Sequence, residues 1–156
     1  MRKVFLIIIC IFLLSGCNKG NKEAERTPES TPDRVNVETQ KEDEIIGSFI
    51  TNILDTDPDR IKNLTLCANT LNGVSIEPGQ VFSFNGTVGQ RTSQKGYEEA
   101  KILVENESEY AVGGGVCQIS STLYNAAMDA GMEIVERHSH SKPIHYVATG
   151  KDAAIS

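Results

Sequence analysis

Between Asn18 and Glu44 the chain reads NKGNKEAERTPESTPDRVNVETQKEDE, 27 residues with three apolar side chains, two prolines and a large share of charge. So little apolar surface cannot offset the entropy lost on ordering a backbone, and the segment is expected to be a disordered tether. This confines folding to residues 45–156, and those 112 residues suffice for one hydrophobic core and one domain. As a flexible coil the tether reaches roughly 30 Å.

Upstream, Arg2 and Lys3 precede an apolar run from Val4 to Leu14, and Leu14-Ser15-Gly16-Cys17 closes it. The run is short for a membrane span and has the charged start and small-residue end of an export signal. The closing tetrapeptide resembles the lipobox of bacterial lipoproteins, with residues 1–17 as the signal peptide and Cys17 as the lipidation site. That resemblance implies a protein anchored by lipid on the outer face of a bacterial cell membrane. An ordinary secretory peptide with an incidental cysteine is the alternative.

Residues 45–156 hold 13 Asp and Glu against 8 Lys and Arg, a net charge of −5 with no basic stripe. This balance argues against nucleic acid as a partner. Beyond Cys17 the thiols are Cys67 and Cys117, and outside the membrane two cysteines can simply form a disulfide.

IIGSFITNIL (45–54) has the β-branched and aromatic content of a strand, broken by Asp55 to Asp59. DPDRIKNLTLCANTLNG predicts a helix. Asp57 or Asp59 caps it, Pro58 suits its first turn, Ile61, Leu64, Ala68 and Leu71 share one apolar face, and Gly73 stops it. Cys67 lies beside that face and reads as a small core residue. After turn signals around short strands, AKILVE returns through Asn106 and Glu107 to SEYAV as a hairpin. A second helix is expected from Cys117 to Ala130, with Ile119, Leu123, Ala126, Ala127 and Ala130 inward and Gly131 at its end. MEIVERHSH, IHYVA and DAAIS read as strand, strand and a strand start. The result is an α+β fold, a single small domain with two main helices against an antiparallel sheet.

The second helix is preceded by Gly113, Gly114 and Gly115, and its first turn carries Cys117 and Gln118. At a helix start, unpaired N–H groups and the macrodipole favour an anion, so a thiol there ionises more readily. The same N–H groups suit the oxyanion of a tetrahedral intermediate, and the glycines allow close approach. Downstream, His138 and His140 would project from one face of a strand, with Asp152 at the start of another. Nucleophile on a helix, base on the next strand and carboxylate on the one after is the chain order of papain- and transglutaminase-type thiol enzymes. Three readings of the histidines stay open: base for Cys117, zinc ligands together with Cys117 or Asp152, or structural partners at a sheet edge. His145 alternates with Ile144 and Tyr146 and reads as structural.

The stretches PGQVFSFNGTVGQRTSQKGYEEA, GGGVCQISSTLYNAAMDAGMEIVERHSHSKPIHYV and GKDAAIS resemble the VanW family over nearly all of residues 45–156. The resemblance implies a bacterial cell-envelope setting and, for the family's namesake, a vancomycin-resistance cluster. The family's signature positions fall here on Phe82, Ser83, Asn85, Gly89, Arg91, Gly96, Tyr97, Gly113 to Gln118, Ser120, Ser121, Thr122, Tyr124, Arg137, His138, His140, Ser141 and Asp152. Many members carry further domains before this region and more strands after the Gly-x-Asp-Ala segment.

The expected function is cysteine-dependent hydrolysis or transpeptidation on peptidoglycan or its precursors. Cys117 is the nucleophile, His138 or His140 the base, Asp152 its orienter, and Gly113, Gly114, Gly115, Gln118, Arg91 and Asn85 surround the substrate. No cofactor is required. The alternatives are a non-catalytic module that binds peptidoglycan or a glycopeptide, with Arg91 or Arg137 pairing a carboxylate, and a zinc-binding envelope domain. Lipidation has its own test. Cys17→Ala is expected to release or mislocalise the protein, and wild-type chain recovered soluble and without lipid label in a fractionation experiment would refute the anchor.

Overall fold

The carboxylate of Asp57 accepts hydrogen bonds from the backbone N–H groups of Asp59 and Arg60, both at 3.0 Å, and Pro58 fills the first turn of the helix that follows. This is an N-cap of the kind the sequence predicts. In the computed structural model, residues 4–5, 44–104 and 107–156 are described. The expected signal peptide with Cys17 and the tether lie outside them, apart from Val4–Phe5 and Glu44.

Helix α1 (Pro58–Leu71) ends at Asn72, and Gly73 turns the chain with a positive φ of 76°. Ser75–Ile76 (β2) pairs antiparallel with Val4–Phe5 (β1). A short helix α2 (Phe84–Val88), capped by Ser83, and a 3-10 turn at Ser93–Lys95 lead to the hairpin of β3 (Glu99–Val104) and β4 (Glu107–Val112), in the register Ala100 to Ala111. Helix α3 (Val116–Asp129) follows. The fold is a small α+β structure whose two main helices pack beside a two-stranded antiparallel sheet. Among the described residues no helix is long and apolar enough to cross a membrane.

Cys67 and Leu71 of α1, Val88 of α2, Tyr97, and Val116 and Leu123 of α3 form the apolar core. Cys67 is fully buried there, so its place beside the apolar face of α1 makes it a core side chain. Ile61 and Ala68 are only half-buried, and Asn63 takes a core position instead. Its amide donates to Glu98 O at 2.9 Å and Gly114 O at 3.1 Å and accepts from Glu98 N at 2.8 Å. One side chain thus joins α1, the entry to β3 and the glycine loop, with no polar atom left unsatisfied.

Of the positions expected inward on α3, Leu123 is buried and Ile119 packs against the core, but the buried set is otherwise different. It includes Gln118, Ser120, Ser121 and Asn125, whereas Ala126, Ala127 and Ala130 are half-buried. The polar side chains hold two segments that lack regular structure. Residues 45–54 are not a strand. They run antiparallel along α3 as a strap, in which Ser48 N donates to Asp129 Oδ2 at 2.9 Å, Thr51 and Thr122 share a hydroxyl bond of 2.8 Å, and Gln118 Nε2 donates to Asn52 O at 3.0 Å. Its β-branched residues gave the strand signal, yet Ile45, Ile46, Ile50 and Leu54 point to solvent. Residues 132–156 likewise form no strands and meet in one bridge, His138 with Ala154. Ser120 Oγ donates to Ala153 O at 2.6 Å, Ala153 N donates to Ser121 Oγ at 2.9 Å, and Asn125 Nδ2 donates to Lys151 O at 2.6 Å. Helix side chains satisfy backbone groups that a sheet would otherwise have paired.

Gly114 fixes how close the hairpin and α3 can come, because a Cβ there would fall 2.2 Å from Ala100 O. Gly114→Ala is expected to destabilise the fold by about 2 kcal/mol or more, read as a lowered denaturant midpoint, because a backbone atom cannot yield as a side chain can.

Candidate functional site

Cys117 is the second residue of α3, and the helix begins at Gly115, whose φ of 100° and missing side chain leave the N-cap to backbone groups alone. Gln118 N donates to Gly115 O at 2.8 Å, and the N–H of Cys117 has no backbone acceptor among the described residues. The thiol is half-buried, contacts Ile155 O at 3.8 Å, and opens on a cavity of about 520 Å³. Burial alone would push this thiol up. A hydrogen bond with His140, the contact with Ile155 O and the positive charges of His140 and Arg91 outweigh that and hold it below the ordinary thiol range. Cys67 is not joined to it by a disulfide.

Asp152 places the imidazole. Its Oδ2 accepts from His140 N at 2.6 Å and lies 2.8 Å from His140 Nδ1, so Nδ1 is the protonated nitrogen and Nε2 is left for the thiol. Arg137 grips the same residue twice, Nη2 to Oδ1 and Nε to the backbone O, both at 2.6 Å, and its guanidinium lies 5.7 Å from the ring centre of Tyr124. Burial raises the Asp152 carboxyl, but these donors and the Arg137 charge bring it down to about 2, so it is an anion at any ordinary pH. His140 moves the other way. The thiol hydrogen bond raises it first, burial opposes this, and Asp152 raises it further.

Other residues singled out by the sequence fall elsewhere. His138 is exposed, with Nε2 2.8 Å from Glu136 Oε1, because an irregular chain does not keep residues 138 and 140 on one face. Gln118 is buried with its amide fully engaged, by Arg60 Nη2 at 2.8 Å, Thr51 Oγ1 at 3.2 Å and Asn52 O, so its side chain holds the strap. Asn85 is exposed and accepts from Arg91 Nη1 at 3.1 Å. Gly113 and Gly115 line the cavity, but what they admit is the chain's own side chains, Arg91 against Gly113 and Arg60 against Gly115. Among the described residues no group of three His, Cys, Asp or Glu side chains is disposed to hold a metal ion.

The sequence model of the family described as VanW like protein matches residues 59–156. The chain belongs to the VanW-like family. It is 42% identical over 111 residues to the uncharacterized protein YoaR of Bacillus subtilis (strain 168), across 71% of this chain and 37% of that protein. It is 31% identical over 102 residues to the vancomycin B-type resistance protein VanW of Enterococcus faecalis (strain ATCC 700802 / V583), across 62% of this chain and 37% of that protein. The VanW-like chain thus spans little more than a third of the length of these relatives. No solved structure matches it.

Two cavity residues of this VanW-like domain carry no signal in the sequence. Arg60 reads as an ordinary charge in a helix first turn, yet it reaches across to α3. Tyr146 sits among residues that read as a strand, but its phenol lies in the cavity wall, pushed up to about 12 by burial despite a hydrogen bond with Ser121. The phenol therefore keeps its proton at physiological pH.

The thiol geometry makes a sharp distinction between the histidines. Alkylation of Cys117 by iodoacetamide, followed against pH by peptide mass, is expected to have its midpoint below that of an ordinary thiol. His140→Ala should raise the midpoint, since it removes the hydrogen bond and positive charge that favour the thiolate, and His138→Ala should leave it in place. Cys67 should react only on unfolding.

Proposed function

We propose that this domain performs thiol-dependent acyl transfer on the peptide part of peptidoglycan or its precursors. One observation carries the reading: a cysteine in the first turn of a helix faces an imidazole whose far nitrogen is fixed by a buried carboxylate. Membership of the VanW-like family suggests a cell-wall-associated protein, and the resistance role in the name of the Enterococcus relative fits a substrate in wall synthesis. A lipid anchor at Cys17 would keep the domain within tether reach of the outer membrane face.

In this reading Nε2 of His140 takes the proton from the Cys117 thiol as sulfur attacks a peptide carbonyl carbon. The N–H of Cys117 receives the oxyanion at the positive end of α3. Collapse of the tetrahedral intermediate breaks the C–N bond, and the imidazolium returns its proton to the departing amine, leaving a thioester. Water then releases an acid, or a second amine forms a new peptide bond. Asp152 keeps Nδ1 protonated and the ring in place throughout, and Arg137 holds Asp152.

A non-catalytic binding module would use the same cavity without covalent chemistry. Incubation of the full chain with muropeptides, followed by product mass, separates the two readings. Wild type is expected to form shortened or cross-linked product, and Cys117→Ala to lower the rate by about 10³-fold or more. Absence of product from wild type, with ligand binding unchanged in Cys117→Ser, would leave the binding module.

A further inference from the structure

Two arginines border the cavity without an ion pair among the described residues. Arg60 gives Nη2 to Gln118 Oε1, while its Nε is buried without a hydrogen-bond partner among the described residues. Its guanidinium lies against Gly115, since a Cβ built there would fall 2.8 Å from Nη1 and 3.2 Å from Cζ. Arg91 packs its stem on Gly113, and among the described residues only its Nη1 is committed, to Asn85 Oδ1 and Gly89 O at 3.1 and 3.0 Å. Neither guanidinium makes an ion pair among the described residues, in contrast to Arg137 on Asp152. Lys101 adds a third cation to the lining. Among the described residues Asp55 is the carboxylate of the lining, and it already accepts from Asp57 N at 3.1 Å. A positively charged cavity in a domain of net charge −5 is a local arrangement and not a reflection of composition.

We propose that Arg60 and Arg91 together hold a free carboxylate of the peptide substrate. Among the described residues Arg60 Nη1 and Arg91 Nε and Nη2 make no hydrogen bond, and a carboxylate is the partner whose planar, two-oxygen geometry matches such forks. Gly115, against which Arg60 lies, is two residues before Cys117, at most about 8 Å along the backbone. The substrate is therefore an anionic peptide attacked within about two residues of its carboxylate. The placing of the attacked bond rests on the thiol reading above, whereas the carboxylate site stands without it.

Isothermal titration of the full chain carrying Cys117→Ala tests the site without turnover. The probe is a short peptide ending in D-alanine, used as the free acid and as its C-terminal amide. The acid is expected to bind at least about tenfold more tightly. Arg91→Gln and Arg60→Gln should each abolish that preference, so that acid and amide bind equally. Among the described residues Arg91 makes no hydrogen bond to Gln118, the α3 residue that holds the strap, so it carries the test if melting curves show that Arg60→Gln unfolds the chain. Equal binding of acid and amide, a preference that survives both substitutions, or no binding of either peptide would overturn the proposal. A preference for the acid with no product from wild type would keep the carboxylate site and refute the thiol chemistry. Wild-type turnover of acid and amide at equal rates would do the reverse.

Discussion

The side-chain hydrogen bonds of α3 are the constraint on which the rest of the domain depends. A helix usually offers apolar side chains to its neighbours, and this one also offers hydroxyls and amides. Thr122, Gln118 and Asp129 hold the strap on one side, and Ser120, Ser121 and Asn125 hold residues 151–153 on another. Each bond contributes on the order of 1 kcal/mol net, but each buried partner left alone would cost more than that. The irregular segments are therefore placed as definitely as strands would be.

That placement sets the geometry around Cys117. The thiol comes from α3 itself, and the residues that face it come from chain docked on α3. Ile155 O and Asp152 are positioned by the attachment of residues 151–153, and Asp152 in turn fixes His140 through both its backbone N–H and its ring. Arg137, stacked near Tyr124 of α3, closes the arrangement from behind. Pre-organisation of this kind keeps an imidazole in one tautomer and one orientation.

Much of this was legible in the residues. The cap at Asp57 and Pro58, the core place of Cys67, the hairpin and the helix after the glycines all follow from local signals of turn chemistry and periodicity. The closeness of Cys117, His140 and Asp152 was legible in outline from chain order. The strap and the C-terminal segment were not, because β-branched content reports a preference for extended backbone and says nothing of what pairs with it. The choice between His138 and His140 was not legible either, since two-residue alternation holds only on a strand and this segment forms none. Gln118 enters the sequence reading through its backbone N–H at the helix start, whereas the burial of its side chain beneath the strap is a long-range fact. Arg60 gave no signal, because nothing in a helix first turn indicates that a charge will bridge to a second helix.

The attachment of residues 151–153 has one more consequence, for the way damage to this domain would be distributed. Ser120, Ser121 and Asn125 touch no substrate in any reading of the cavity, yet they are the moorings of the carboxylate that orients His140. A map of tolerated substitutions would then not form a disc around the thiol. It would run as a stripe down a helix for two turns beyond it, through small polar residues that look replaceable one at a time. Sensitivity along that stripe reports leverage, not proximity.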